Sequence, residues 1–297
     1  MIDPHPTLPE FEYIKPESIE KALSFLKDTA GQSRPFLGGT DCFIAVRDKK
    51  MQPKFLVDLK HLEGFNTLAY DGIQGLTIGA AVNLNRLIAS EEVQTHYPVL
   101  VQAAKEVGSY QLRTRATLVG NLCNASPCGD TIAPCLAYQG SANIIGPVGQ
   151  KNVPLIDFFK GPGKTILEPG EIVQSVNLPP APAGAKGVYQ SIGRNTLGDL
   201  AIAAVTVLAF PESQTSSGYR FLIALSAVAP TVIFVEEAQL LLAEKPIDAA
   251  GLEEAAQVAA QTCKPIDDIR ASAQYRRAMI QTLTLRALQT VWQELQK

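Results

Sequence analysis

Apolar residues recur at helical spacing in some parts of the first half of the chain and cluster in short runs in others. Residues 18–26 form an amphipathic helical pattern, and the serine at its start is a suitable N-cap. The apolar runs at 55–59 and 76–80 are typical of strands. Residues 84–107 have mainly helical spacing on both sides of Pro98. The pattern predicts a mixed α and β first half.

A proline-rich segment, 177–184, separates this half from the rest, because clustered prolines cannot continue a helix or a central strand. Residues 201–210 and 219–228 are apolar, partly β-branched runs joined by a polar segment, which predicts an antiparallel pair. From about Val232 the pattern is helical to the end. One face of the terminal helix is predicted to carry Tyr275, Met279, Leu283, Leu288, Val291, Trp292 and Leu295. Trp292 is therefore interpreted as a core residue.

Composition excludes several classes of protein. The 297 residues are 46% hydrophobic and 19% charged, which is ordinary for a globular chain. The net charge of −3 is spread along the sequence without a basic stripe, so nucleic acid is not an expected partner. The apolar stretch 221–235 is too short and too interrupted for a membrane span. Residues 1–6 lack the features of a secretory signal, and we expect the protein in the cytoplasm.

Two polar segments that contain glycine are candidates for ligand binding. In residues 37–41, Gly38 and Gly39 allow successive N–H groups to point at a phosphate, although a simple tight turn would use the same residues. Residues 113–130 hold many small and hydrogen-bonding side chains in a stretch too polar for a buried strand and too glycine-rich for a helix. Such a segment tends to wrap a ligand, and an ordinary polar loop is the alternative.

In their order and spacing, these segments resemble the FAD-binding medium subunit of the molybdenum hydroxylases, the group of xanthine dehydrogenase and carbon monoxide dehydrogenase. The resemblance runs nearly end to end and includes Phe11–Ser18, Gly38–Asp41, Thr77–Ala80, Thr117–Asp130, Pro169–Val173 and Arg270–Arg277.

This resemblance implies an α+β fold. A two-subdomain FAD-binding domain of the PCMH/vanillyl-alcohol-oxidase type would occupy residues 1–178, with subdomains at about 1–55 and 56–178. A C-terminal domain of the CO dehydrogenase flavoprotein type, with a small antiparallel sheet and helices, would occupy residues 185–297.

The same resemblance implies which residues hold the FAD. They are Pro35, Phe36, Leu37, Gly38, Gly39, Thr40, Asp41, Cys42, Thr117, Gly120, Asn121 and Asp130, with Val107 beside the flavin ring and Val173 as a further position. The two glycine-containing loops are expected to bind the diphosphate, and Asp130 to accept a hydrogen bond from a flavin-side or ribose group. No catalytic acid, base or nucleophile is expected.

Two positions depart from the family pattern. Val119 stands where the family commonly has a second glycine, so the backbone is expected to approach the cofactor less freely there. Ser191 stands where the family has a lysine near the flavin, which would remove a positive charge able to stabilise anionic reduced flavin.

Several other patterns are interpreted as structural. Residues 161–165 are similar to a phosphate-binding P-loop, but Phe158 stands where its first glycine should be, and we expect a surface loop. No Rossmann fingerprint for a nicotinamide cofactor occurs. His5, His61 and His96 share no ligand-like spacing and are interpreted as structural or surface residues.

The five cysteines are an odd number, which does not favour a disulfide framework, and three of them lie close together: Cys123, Cys128 and Cys135. Three thiols could hold an iron–sulfur cluster, as on the flavin subunit of the related 4-hydroxybenzoyl-CoA reductases, but four thiolates are usual. Cys42 or Cys263 would have to supply the fourth. We expect packed thiols and no metal, with Cys135 on the core face of a helix that begins near Thr131.

The resemblance implies a flavoprotein subunit that passes electrons between the 2Fe–2S clusters of a small partner subunit and an acceptor such as NAD. A large molybdopterin-binding subunit would oxidise the substrate. One alternative is the flavin subunit of a CoA-ester reductase that carries its own 4Fe–4S cluster. Another is a flavin-free binding or assembly protein of the same fold.

Overall fold

The computed structural model of the chain describes residues 8–195 and 198–297. His5 and the start of the chain, where a secretory signal was not expected, lie outside the described residues. No helix within the described ranges is long and apolar enough to cross a membrane.

The first part of the chain contains both helices and strands, as the apolar pattern predicts. In order they are β1 (Glu12–Ile14), α1 (Ile19–Asp28), β2 (Ser33–Phe36), α2 (Cys42–Arg47), β3 (Phe55–Asp58), β4 (Leu68–Asp71), β5 (Gly75–Gly79), α3 (Leu84–Ala89), α4 (Glu91–His96), α5 (Pro98–Glu106), α6 (Tyr110–Arg113), α7 (Leu118–Asn124) and α8 (Ile132–Ala137). Then follow β6 (Ser141–Gly146), β7 (Gly149–Pro154), α9 (Leu155–Phe158), β8 (Phe159–Gly161), β9 (Lys164–Thr165) and β10 (Ile172–Leu178).

The second part contains β11 (Lys186–Ile192), β12 (Ala203–Pro211), β13 (Tyr219–Ser226), β14 (Ile233–Phe234), α10 (Glu236–Glu244), α11 (Ala249–Thr262) and α12 (Ala273–Leu295). Strands β12 and β13 pair antiparallel, which confirms the predicted hairpin. Together with β11 and β14 they form a four-stranded sheet in the order β11-β12-β13-β14.

A small parallel sheet positions the first glycine-containing segment. Its strand order is β1-β3-β2, with β3 in the centre. Strand β2 ends at Phe36, opposite Asp58, so residues 37–41 leave the sheet at the carboxyl ends of its strands. This is the edge at which parallel α/β arrangements usually bind ligands. The subdomain boundary expected near residue 55 coincides with the first residue of β3. Because β3 pairs with β1 and β2, this strand belongs to the sheet of the first subdomain.

A larger antiparallel sheet has the strand order β4-β5-β10-β6-β7. Its central strand, β10, is buried along most of its length, and α7 packs against it. The first hydrophobic core lies around this sheet and helices α3, α5, α7 and α8.

The polar segment 113–130 contains a helix, so the expectation that it was too glycine-rich for one is wrong. The Thr117 hydroxyl caps α7 by accepting a 2.9 Å hydrogen bond from the N–H of Gly120. Leu118, Val119 and Leu122 are all at most 1% exposed. One glycine costs a helix about 1 kcal/mol, whereas each buried aliphatic side chain contributes about 1.5–3 kcal/mol, so burial decides.

Helices α10 to α12 cover the C-terminal sheet and form a second core with it. Trp292 packs against this core, 5.2 Å from the ring of Tyr219, which confirms its interpretation. The buried face of α12 differs in part from the predicted one, because Tyr275 is 42% exposed while Arg276 is buried. The polar contacts of Arg276, described below, explain why this charged residue lies on the buried face of α12.

The two parts of the chain share apolar contacts. Tyr189 and Leu208 of the C-terminal sheet belong to the first core, and α5 packs against β11. The proline-rich segment therefore joins two units that lie against each other. The domain limits at 178 and 185 stay a prediction.

Candidate functional site

The first glycine-containing segment presents free backbone donors. Gly39 has φ +76°, a conformation that favours glycine, and α2 begins three residues later. No backbone carbonyl of the described chain accepts a hydrogen bond from the N–H groups of Gly38, Gly39, Thr40 or Asp41. Such a run of unpaired N–H groups is able to bind an anionic group.

The structure brings this segment against the second one. A Cβ atom built on Gly38 would lie 2.1 Å from the carbonyl oxygen of Arg115 and 3.1 Å from the Cα of Ala116. The same stretch is held from its other side by a 2.9 Å hydrogen bond from the N–H of Leu84 to the Ala116 carbonyl. The two segments predicted from sequence are therefore in direct contact.

Positive charge lies near these walls. Arg34 and Arg115 have exposed side chains; Arg34 lies three residues before the first segment, and Arg115 lies within the second. The charge of Arg34 lowers the pKa of Cys42, although burial has the larger effect and raises it. Sequence reasoning placed Arg115 in the second segment but selected neither arginine as a binding residue, because an exposed cation gives no distinctive pattern.

Hydrogen bonds close the second segment on itself. The Thr131 hydroxyl donates a 2.8 Å hydrogen bond to Asn121 Oδ1. A Cβ atom on Gly129 would lie 3.0 Å from the same oxygen. Asn121 and the end of the segment, which carries Asp130, are thus held next to each other.

Asp130 is a buried carboxylate with one side-chain donor among the described residues. It is 7% exposed and accepts a 2.6 Å hydrogen bond from the Tyr189 hydroxyl. Burial raises the pKa of Asp130 to about 6 and the charge of Glu106 adds to that, while the Tyr189 hydrogen bond opposes it. Within the described residues, no other side chain donates to this carboxylate. Since a carboxylate has about four acceptor positions, it can accept further donors from a ligand.

Val107 and Val173 occupy different surroundings. Val107 is half-buried and ends α5, and the guanidinium of Arg113 donates to its carbonyl at 3.0 Å and to that of Gly108 at 3.2 Å. Val173 is a buried residue of β10, opposite Ile144. The role of either valine toward the flavin stays a prediction.

The two departures from the family pattern also have clear positions. Val119 is 1% exposed and its side chain belongs to the first core. Ser191 lies two residues beyond Tyr189 on β11; burial raises the pKa of the Tyr189 phenol, and Ser191 opposes that rise. Their effects on the cofactor stay predictions.

Four of the cysteines belong to or pack against the two hydrophobic cores, namely Cys123, Cys128, Cys135 and Cys263. Cys135 is fully buried on α8, as the sequence predicts for a helix that begins near Thr131. Burial raises the pKa of Cys123 to about 12 and raises that of Cys128 as well. Within residues 8–195 and 198–297, no group of three or more His, Cys, Asp or Glu residues is arranged to hold a metal ion.

The remaining sequence patterns are structural in this fold. Residues 159–165 form the short hairpin of β8 and β9, which is not followed by a helix, so the P-loop interpretation is excluded as expected. His61 Nε2 lies 2.7 Å from the carbonyl oxygen of Pro16. His96 stacks on Tyr70, with ring centroids 4.0 Å apart.

Sequence reasoning missed the contacts that connect the second segment to the C-terminal sheet. One is the Tyr189–Asp130 hydrogen bond. The other is a 2.8 Å hydrogen bond from the N–H of Ala227 to the carbonyl of Pro127. Ala227 has φ +64°, and its carbonyl accepts a 3.0 Å hydrogen bond from the buried Arg276. The family-like motif around Arg276 was visible in the sequence, but its contact with this loop was not.

Comparison with known proteins agrees with this geometry. The family model described as the FAD binding domain in molybdopterin dehydrogenase matches residues 9–181. The model described as the CO dehydrogenase flavoprotein C-terminal domain matches residues 188–291.

Individual relatives match along nearly the whole chain. The carbon monoxide dehydrogenase medium chain of Hydrogenophaga pseudoflava is 31% identical, over 96% of this chain and 98% of that protein. The xanthine dehydrogenase FAD-binding subunit of Escherichia coli O157:H7 is 29% identical, over 93% and 94%. A solved structure of the Hydrogenophaga pseudoflava carbon monoxide dehydrogenase matches with a TM-score of 0.91, over 97% of this chain and 99% of the other. The chain therefore belongs to the family of FAD-binding flavoprotein subunits of molybdenum-containing dehydrogenases and hydroxylases, and is an oxidoreductase subunit whose cofactor is FAD.

Proposed function

We propose that this subunit carries electrons between the 2Fe–2S clusters of a small partner subunit and an external acceptor such as NAD. A large molybdopterin-binding subunit would oxidise the substrate, and the complex would work in the cytoplasm. The proposal is supported by relatives that are named medium chains or FAD-binding subunits of carbon monoxide and xanthine dehydrogenases. When bound, FAD supplies one-electron and two-electron exchange, and the protein holds and tunes it.

One observation carries the assignment of the binding residues, namely the junction between the two predicted segments at Gly38 and Arg115. The unpaired N–H groups of residues 38–41 are suitable donors for the diphosphate, and Arg34 and Arg115 add positive charge beside them. The buried carboxylate of Asp130 is a suitable acceptor for a hydroxyl of the cofactor. The donors and the acceptor present therefore fit FAD.

The remaining proposed binding residues line the same two segments. The free donors are flanked by Pro35, Phe36, Leu37 and Cys42. Thr117 caps the start of α7, the helix that carries Gly120 and Asn121. A cofactor held by backbone donors and one carboxylate needs no acid, base or nucleophile from this chain. The subunit would bind and orient the flavin and restrict its contact with water.

Substitution of Gly39 tests the binding site. A Cβ atom on Gly39 would lie 2.6 Å from the Phe43 ring. Any other residue at this position would also have to adopt φ +76°, a conformation that favours glycine. We expect Gly39→Val to abolish FAD binding, measured by the flavin spectrum and by titration of the apoprotein. Gly31→Val is a matched control, because Gly31 has φ +78° but nothing within 4 Å of its Cβ position. If Gly39→Val binds FAD as well as Gly31→Val does, the first segment is an ordinary turn.

Affinity purification from the native cell tests the assembly. We expect the tagged chain to bring with it a large molybdenum-containing subunit and a small iron–sulfur subunit. A chain that purifies alone and oxidises a substrate without partners would contradict the proposed electron path. Reduction of the bound flavin by substrate within the isolated complex, followed by reoxidation with NAD, tests the acceptor.

A further inference from the structure

Tyr189 belongs to the C-terminal sheet but makes two hydrogen bonds with the first part of the chain. Its hydroxyl donates the 2.6 Å hydrogen bond to Asp130 Oδ1. Its backbone N–H donates a 2.9 Å hydrogen bond to Gln102 Oε1, on α5. The residue is 6% exposed and packs into the first core. Tyr189 is therefore fixed at its backbone and at the tip of its side chain.

The position of β11 explains the backbone contact. This strand is at the edge of the C-terminal sheet and pairs with β12 on one side only, with Tyr189 opposite Thr206. An N–H group that the ladder leaves unpaired needs another acceptor when it is shielded from water, and Gln102 supplies it. The hydrogen bond to Gln102 thus fixes β11 in a position from which the Tyr189 hydroxyl reaches Asp130.

The phenol remains a hydrogen-bond donor over the physiological range. Burial raises the pKa of Tyr189 well above its ordinary value, and the negative charge of Asp130 raises it further. The hydroxyl therefore keeps its proton and donates a hydrogen bond to the carboxylate, which orients one carboxylate oxygen while acceptor positions remain for a ligand.

We infer that Tyr189 is a positioning residue of the FAD site, which holds the Asp130 carboxylate in place for a cofactor hydroxyl and makes the C-terminal sheet a component of that site. The inference rests on the proposed role of Asp130 in FAD binding. It follows that the FAD-binding domain is completed by a side chain from outside it.

The charges around Asp130 predict what loss of the hydroxyl would do. Glu106, at the end of α5, disfavours the ionised form of Asp130, as burial does, whereas the Tyr189 hydroxyl favours that form. Burial raises the pKa of the Tyr189 phenol, and Ser191 on the same strand opposes that rise. Without the hydroxyl, the pKa of Asp130 rises further, so the carboxyl binds a proton at higher pH and becomes a poorer acceptor.

The test compares two variants of the full-length chain that each remove one buried hydroxyl. Tyr189→Phe removes the donor to Asp130. Tyr97→Phe is the matched control, because Tyr97 is fully buried and its hydroxyl donates instead to the carbonyls of Leu178 and Pro179. We expect the dissociation constant of FAD to rise about tenfold in Tyr189→Phe, a change of about 1.4 kcal/mol, and to change less than about twofold in Tyr97→Phe.

A pH series separates positioning from general destabilisation. The pH at which half of the FAD is released on acidification should move upward in Tyr189→Phe and should not move in Tyr97→Phe. In an Asp130→Asn background, Tyr189→Phe should have no further effect on FAD affinity. If the two tyrosine variants behave alike in both measurements, the inference is wrong.

Two further outcomes distinguish this inference from the assignment of Asp130. If Asp130→Asn weakens FAD binding and Tyr189→Phe does not, the site stands and only the role of Tyr189 fails. If Asp130→Asn itself has no effect, both fail. Should Tyr189→Phe not fold, Gln102→Met releases the strand without altering the hydroxyl and should weaken FAD binding with the same upward pH shift. Unchanged binding in that variant would overturn the inference.

Discussion

The α-carbon of Gly38 packs so closely on the carbonyl of Arg115 that a Cβ atom would lie 2.1 Å from that oxygen. This contact joins two residues that are 77 positions apart in the sequence. We expect Gly38→Ala to separate them, to weaken FAD binding strongly and to lower the free energy of unfolding by about 1–3 kcal/mol. Gly72→Ala is the control, because nothing lies within 4 Å of its Cβ position. Equal FAD affinity in the two variants, measured by fluorescence titration, would show that the junction is not part of the binding site.

Asp130 should give the apoprotein and the FAD complex opposite pH dependences. Burial raises its pKa to about 6, so the folded state binds this proton more tightly than the unfolded state does. The resulting stabilisation is complete below about pH 4 and is lost as the pH rises through about 6, a loss on the order of 3 kcal/mol. FAD affinity should increase over the same interval, because the ionised carboxylate is the better acceptor. Urea unfolding and FAD titration, each at about pH 4.5 and about pH 7.5, should show both trends in the unsubstituted chain. Neither trend should remain in Asp130→Asn.

Arg276 should be a major contributor to stability. It is 2% exposed, donates to the carbonyls of Ile202 and Ala227 at 2.7 and 3.0 Å, and pairs with Asp268 at 2.8 Å. Removal of the guanidinium leaves these acceptors without their donor, at a cost of about 3 kcal/mol. We expect Arg276→Met to lower the thermal unfolding temperature by several degrees. Arg277→Met should have little effect, because Arg277 is exposed and makes one hydrogen bond of 3.3 Å.

The cysteines should remain protonated thiols rather than cluster ligands. Metal ligation needs thiolates, and burial raises the pKa of Cys123 to about 12. We expect anaerobically purified chain to contain no stoichiometric iron or acid-labile sulfide. We also expect Cys135, which is fully buried, to react with a thiol reagent only after unfolding. About four irons per chain, lost in Cys128→Ser, would instead favour the CoA-ester reductase alternative.

Local patterns were sufficient to predict many of the elements. The N-capped helix at 19–28, the strands at 55–58 and 75–79 and the hairpin of β12 and β13 all follow from periodicity and turn residues. Helix α7 was missed because polar residues dominate its sequence, and its few apolar side chains gain their weight from burial. The same reason explains why Val119 was not recognised as a core residue: in the sequence it was noted only because it replaces a glycine of the family pattern.

The sequence by itself determined the family, the cofactor and the two segments that carry most of the proposed binding residues, because glycines, N-caps and short polar motifs act through the backbone nearby. Only the tertiary structure decided how those segments meet at Gly38 and Arg115, and that Tyr189 reaches Asp130 across 59 positions of the chain. Contacts of this kind depend on where edge strand β11 packs against α5. The sequence of a strand can indicate that a tyrosine such as Tyr189 is buried, but it does not indicate which residue its hydroxyl contacts.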